Sequence, residues 1–117
     1  MTSKKSIKKL KSKNQIDLVF KHGKTLKSGL VSMHYIQGKS EIISPLFGVG
    51  VPKKNVSLAY KRNRIKRQLR AIIQSHKNQI LELFPPGLYM VLYKGNPEID
   101  SKLILKDFKG LIDSFKA

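Results

Sequence analysis

"FGVGVPKKNVSLAYKRNRIKR", residues 47–67, reads as a strand, a lysine-rich turn and the opening of a helix. The strand segment "LFGVGVPKK" (46–54) carries glycines that weaken its face or admit a close neighbour. Pro52 lacks an N–H and ends the ladder pairing. From about Ser57 to Phe84 a stripe of Ile65, Leu69, Ile72, Ile73, His76, Ile80 and Phe84 recurs at helical spacing, which predicts one long helix stopped by "FPPG" (84–87).

Outward from this unit, residues 1–13 are rich in Lys and Ser and read as a mobile basic arm. Asn14 is positioned to N-cap a short helix, with Asp17 three residues on as in a capping box. Ile16, Val19 and Phe20 share one face of that helix, and Gly23 is its stop. "GLVSMHYIQ" (29–37) alternates imperfectly and is rich in β-formers, so it reads as a strand. "KSEIIS" (39–44) fits either a hairpin loop or a strand end. "LYMVLY" (88–93) is a continuous apolar strand of the kind found at the centre of a sheet. "GNPEID" (95–100) is a turn. Asp100 or Ser101 caps a last helix with Ile104, Phe108, Leu111, Ile112 and Phe115 facing inward. The expected fold is one α/β (α+β) domain over residues 1–117, a two-layer sandwich in the order α-β-β-β-α-β-α, with about four strands in a small mixed sheet.

Composition narrows the partner. The 117 residues include 24 Lys+Arg against 7 Asp+Glu, a net charge of +17. Such an excess repels itself and implies a polyanionic partner. A hydrophobic content of 40% supports a folded chain. There is no Cys, which excludes disulfides, thiol chemistry and cysteine zinc sites. The N-terminus lacks the apolar region of a secretory signal, and no run reaches the about 18 apolar residues of a membrane span. The expectation is a soluble cytoplasmic protein with no membrane partner.

The charge concentrates in "KRNRIKRQLR", residues 61–70, where six of ten residues are cationic and none is acidic. On a helix Arg62, Lys66 and Arg70 stack along one side, with Asn63 and Arg67 beside them, while Ile65 and Leu69 face away. A solvated helix face ordinarily mixes signs for pairing four residues apart, and no carboxylate is available here. The cations also occupy the first turns, where the helix dipole disfavours each by about 0.3–1 kcal/mol. A phosphate reverses that penalty, because free N–H groups, dipole and guanidinium groups then converge on one anion. Arg outnumbers Lys within the run although Lys dominates elsewhere, and the planar fork suits bidentate phosphate contact. Lys53 and Lys54 extend the patch.

Catalytic chemistry is not legible. Asp17, Glu41, Glu82, Glu98, Asp100, Asp107 and Asp113 are scattered, and none pairs with His22, His34 or His76 at ligand or acid–base spacing. There is no phosphate-binding glycine loop, no metalloprotease helix motif and no serine nucleophile motif. His76 falls on the apolar stripe, as a core histidine would. Phe20, His34, Tyr35 and Phe47 are candidates for base stacking, each also suited to core packing. Alternation puts His34 and Tyr35 on opposite faces of their strand, so only one of them can line an open sheet surface.

The basic run resembles the arginine–asparagine–arginine motif of the bacterial ribonuclease P protein subunits. Their RNxxKRxxR pattern is matched by Arg62, Asn63, Arg64, Lys66, Arg67 and Arg70. "LVFKHGK" (18–24) resembles the end of that family's first helix, residues 47–67 its strand, turn and helix start, and "YMVLYKG" (89–95) its late strand. The likeness runs from about residue 10 to residue 115. It implies a left-handed crossover between parallel strands, against the usual hand. It also implies a supporting part in an RNA-based endoribonuclease that removes the 5′ leader of precursor tRNA. The ribonuclease P RNA would carry the active site and the Mg²⁺, with no catalytic residue, metal site or small-molecule cofactor in this chain. On this resemblance Lys53, Lys54, Lys61, Arg62, Asn63, Arg64, Lys66, Arg67 and Arg70 would meet the catalytic RNA. A leader cleft would draw on Lys13, Ile16, Phe20, His34 and Tyr35. Two departures stand out: Ile16 occupies the place of a common aromatic, and "NVSLAY" (55–60) replaces a more basic or glycine-containing turn.

A basic-leucine-zipper reading fails because "FPPG" ends the helix where a leucine heptad would have to follow. The alternative with the same size and charge is a ribosomal or other structured-RNA-binding protein without a processing role. A membrane-surface role is weaker, since the arm has too little apolar content to insert.

Overall fold

The computed structural model describes residues 7–38, 42–98 and 101–116. In chain order these form β1 (Lys8–Lys9), α1 (Lys13–His22), β2 (Lys24–Ser28), β3 (Val31–Gln37), β4 (Pro45–Gly50), α2 (Ala59–Ser75), α3 (Lys77–Leu83), β5 (Gly87–Tyr93) and α4 (Ser101–Lys116). The strands make one mixed sheet in the order β1-β4-β5-β3-β2. β4 and β5 are parallel neighbours joined through α2 and α3, while β3 runs antiparallel to both β5 and β2. This is the expected mixed α/β fold with five strands rather than about four.

Two strands lie outside the expected set, β1 in the basic N-terminal stretch and β2 directly after the first helix, while residues 42–44 of the ambiguous 39–44 stretch form no strand. Lys8 and Lys9 pair in parallel with Leu46 and Phe47 of β4, and the Leu10 N–H donates to the Phe47 carbonyl at 3.0 Å. From Ile7 onward the stretch expected as an arm therefore lies along the sheet edge. Leu10 anchors it: that side chain is buried among Val19, Leu88 and Met90.

β5 is the central strand, and its alternation divides the interior. Tyr89, Val91 and Tyr93 face the larger core with Ile65, Leu69, Ile80, Ile104 and Phe108. Leu88 and Met90 face the smaller cluster under α1. The last helix buries Ile104, Phe108, Leu111 and Ile112 as its pattern requires, with Phe115 packed partly against them. Its Asp107 carboxylate accepts the Leu30 N–H at 2.8 Å, pinning the β2–β3 turn. Gly29 in that turn has φ +56°, and the space of a β-carbon there is filled by the Asp107 carboxylate.

Three local expectations are corrected. The first helix is capped by Ser12, not Asn14: the Gln15 N–H donates to Ser12 Oγ at 3.4 Å. The chain is held on β4 up to Leu10 and must turn immediately after it, which starts the helix early. α1 ends at Gly23 in extended backbone (φ −80°, ψ 161°), not in the left-handed cap, because β2 begins at Lys24. The long helix is broken at His76 (φ −106°, ψ 18°) into α2 and α3. Ser75 Oγ donates to the Ile72 carbonyl at 2.8 Å, and His76 Nδ1 lies 2.9 Å from the same oxygen. These side chains compete with the helix ladder for one acceptor. His76 rests edge-on against Phe108, the core setting expected of it. The 39–44 stretch and the Asp100 cap fall partly outside the described residues.

Candidate nucleic-acid interface

α2 presents its stripe and its charges on different sides. Ile65, Leu69 and Ile73 are buried, while Asn63, Arg64, Arg67 and Arg70 are exposed and Lys61, Arg62 and Lys66 half-buried. All four arginines of the chain lie in this helix. Its N-cap, Leu58, makes no side-chain capping bond, and no acidic residue occupies the first turn. Of the six cations, only Lys61 meets a carboxylate among the described residues, Glu98 at 3.8 Å, whose own side chain is exposed. Pairs open to solvent in this way are weak. The result is a helix start whose dipole and side chains have the same sign, with the compensating anion left to a partner.

Arg62 departs from its neighbours. Its Nη1 donates to the Val56 carbonyl at 3.0 Å and to the Ser57 carbonyl at 2.7 Å. Those bonds fold the guanidinium back over the segment leading into the helix. They hold it in a positioning role and leave less of its fork for a phosphate. Arg64 and Arg67 make no such bond among the described residues and stand as open forks.

Lys53 and Lys54 occupy the exposed turn that follows β4. Asn55 Nδ2 donates from that turn to the Lys94 carbonyl at 3.1 Å, and the Lys94 N–H donates to Leu30 at 2.7 Å. The lysine turn, the end of β5 and the β2–β3 turn are thereby locked together.

The expected leader cleft divides. Phe20 and His34 come together, with ring centroids 5.1 Å apart and planes at 65°. His34 also hydrogen-bonds Thr25 Oγ1 through Nδ1 at 3.1 Å. Ile16, one turn before Phe20, is half-buried, and Lys13 is exposed at the start of α1. Tyr35 is separated from this group. Strand alternation sends its ring to the opposite face, where it stacks on Tyr89 at 6.0 Å and meets Phe115 edge-on at 5.4 Å. Phe47 likewise stacks on Tyr89 at 4.9 Å and belongs to the core.

Two cations absent from the sequence reading act on the Phe20–His34 pair. His34 is pushed below the usual histidine range first by burial and then by the charges of Lys94 and Lys27. Lys94 lies 60 positions from His34, so only the sheet pairing places its charge nearby. Ser32, two residues before His34 on the same face, has a buried hydroxyl with no partner among the described residues. No three His, Cys, Asp or Glu side chains among the described residues gather as a metal site. No helix there is long and apolar enough to cross a membrane.

Comparison with known proteins gives a consistent answer. A family model described as Ribonuclease P matches residues 5–116. The chain is 33% identical over 76 residues to the ribonuclease P protein component of Acholeplasma laidlawii, covering 65% of this chain and 63% of that protein, just under two thirds of its length. It is 32% identical over 105 residues to the same component of a Nitratiruptor species, covering 90% of this chain and 83% of the relative. The fold superposes on the Staphylococcus aureus RNase P protein with TM-score 0.76 at 18% identity, covering 92% and 94% of the two chains. The motif on α2 and the strand and turn before it lie within the matched span, and the chain belongs to the ribonuclease P protein family.

Proposed function

We propose that this chain is the protein subunit of a ribonuclease P ribonucleoprotein, assisting the RNA-catalysed removal of the 5′ leader from precursor tRNA in the cytoplasm. The observation that carries this is the basic start of α2, uncapped and almost without acidic partners, directly after β4 and a lysine turn, in a chain of this family. Lys53, Lys54, Lys61, Asn63, Arg64, Lys66, Arg67 and Arg70 offer phosphate contacts to the catalytic RNA, and Arg62 orders the loop that presents them. The leader, a single strand, is received at Phe20 and His34, with Ile16 and Lys13 beside them and Lys27 and Lys94 supplying positive charge. Tyr35 takes no part, because it faces the core. Bases stack on an exposed ring without sequence preference, which suits leaders of varied sequence. In this reading Mg²⁺ serves the chemistry from the RNA, which carries the active site. The chain's own work is to bind, orient and neutralise.

The decisive test mixes the protein with a bacterial ribonuclease P RNA at low Mg²⁺ and follows precursor-tRNA cleavage. Faster cleavage than with RNA alone is expected; no enhancement overturns the reading.

A further inference from the structure

The stretch "NVSLAY" (55–60) separates Lys53 and Lys54 from the basic run and carries no charge of its own. It ends on Tyr60, which is 67% exposed. Phe20 and Tyr60 are the two exposed Phe or Tyr rings among the described residues. Phe20 rests against His34, whereas Tyr60 meets no ring and makes no side-chain hydrogen bond among the described residues. A lone exposed ring is ordinary; its placement sets this one apart.

Tyr60 heads the outward row of α2. Arg64 and Arg67 follow it one and two helical turns on, both exposed, and the row lies opposite the buried Ile65 and Leu69. The backbone beneath the ring is held, because Arg62 Nη1 bonds the Val56 and Ser57 carbonyls and Asn55 Nδ2 bonds the Lys94 carbonyl. An aromatic face in line with two open guanidinium forks matches a nucleotide, which brings a flat base and phosphates on either side of it. The ring is separate from Phe20. Val19 of α1 packs with Leu88 and Met90, while Ile65 and Leu69 of α2 pack with Tyr89 and Val91, so the two helices cover opposite faces of the sheet.

We infer that Tyr60 stacks on an unpaired base of the catalytic RNA whose flanking phosphates lie on Arg64 and Arg67. The inference rests on the reading of this chain as a ribonuclease P subunit and adds a base contact to a helix otherwise offering charge. Phosphate contacts hold a helix on any RNA backbone, whereas a stacked ring needs a base free of its neighbours. Tyr60 therefore separates a folded RNA with an unpaired residue at that place from a plain duplex.

The chain contains no Trp, so Tyr60→Trp in the full-length protein gives a single fluorescent reporter at this position. Titration with a bacterial ribonuclease P RNA is expected to quench the indole and shield it from acrylamide. A plain RNA duplex at the same phosphate concentration is expected to do neither. Tyr60→Ala is expected to weaken binding of the ribonuclease P RNA by about five- to a hundredfold, the worth of one base–aromatic stack, and to keep the wild-type salt slope. Tyr60→Phe is expected to bind as the wild type does, since the ring and not the hydroxyl makes the contact. An unquenched indole, equal quenching by the duplex, or wild-type affinity in Tyr60→Ala overturns the inference. So does a flattened salt slope in Tyr60→Ala, or a loss in Tyr60→Phe equal to that in Tyr60→Ala. Precursor cleavage separates the two readings. Stimulation by the wild type with a silent indole sinks the stack alone, whereas quenching and the Tyr60→Ala loss without stimulation support the stack and sink the processing role.

Discussion

Phe20 on α1 stands edge-on to His34 on β3, ring centroids 5.1 Å apart, with Phe20 still 44% exposed. The imidazole fixes one edge of the phenyl ring while solvent reaches the rest. A half-exposed, oriented ring contributes little to a core and is well placed to stack a base. Phe20→Ala is expected to leave the unfolding free energy within about 1 kcal/mol. It should weaken binding of leader-bearing precursor by roughly five- to a hundredfold relative to mature tRNA, the worth of one base–aromatic stack. Paired affinity measurements check this; equal losses for both RNAs would place Phe20 in a purely structural role.

His34 is lowered by burial and by the charges of Lys94 and Lys27. The protonated ring is disfavoured in the folded state, so its contribution to stability is present above the ordinary histidine pKa and declines as pH falls below it. Lys94→Met is expected to raise the His34 midpoint toward the ordinary value without restoring it fully, because burial is the larger cause. An NMR titration of the imidazole signals reads this directly. An unmoved midpoint would show that Lys94 does not act on the ring.

The arginines of α2 should separate into two classes. Arg62 bonds two carbonyls of the preceding segment, so Arg62→Ala is expected to cost about 1–2 kcal/mol in urea unfolding. Arg64→Ala and Arg67→Ala should each leave stability within about 0.5 kcal/mol. Each should flatten the log–log salt dependence of RNA binding by about 0.7–0.9. A stability loss at Arg67 as large as at Arg62 would contradict the division.

Tyr89 is buried at the centre of the aromatic cluster and its hydroxyl donates to the Pro85 carbonyl at 2.6 Å. Burial pushes its pKa up to about 12, and Gln37 donating to the phenol oxygen only partly opposes that. The folded state holds the phenolic proton more tightly than the unfolded chain, so stability is intact below about pH 10 and falls as pH rises toward 12. Deprotonation of lysines acts over the same range, so the comparison is with Tyr89→Phe. The wild-type protein is expected to lose about 1–2 kcal/mol relative to that variant between pH 9 and 11.5. Parallel denaturant curves for the two proteins would reveal the opposite outcome.

Much of the fold was legible along the chain. The apolar run 88–93 announced a central strand, and β5 is paired on both sides. The stripe on residues 65–84 placed the cations of α2 outward with the right partners inward. The basic helix was equally legible, because six like charges without a carboxylate in ten residues have no compensating structural role. What escaped is instructive in each case. Lys8 and Lys9 carry no strand signal, yet they pair with β4, because the edge of that strand supplies the partners. Ser75 and His76 gave no warning of a helix break, which depends on two side chains converging on one carbonyl. Lys94 entered the site only through pairings across the sheet.

The sequence by itself determined the central strand, the strand–turn–helix unit at 46–75, the last helix and the charge on α2, since these follow from spacings of two to four residues and from summed charge. Alternation along β3 even required His34 and Tyr35 to part. Only the tertiary structure decided which of them joined Phe20 and which arginine was consumed as a brace. Those outcomes depend on which segments, far apart in the chain, come to face one another when the sheet closes between its helices, and no local period records that.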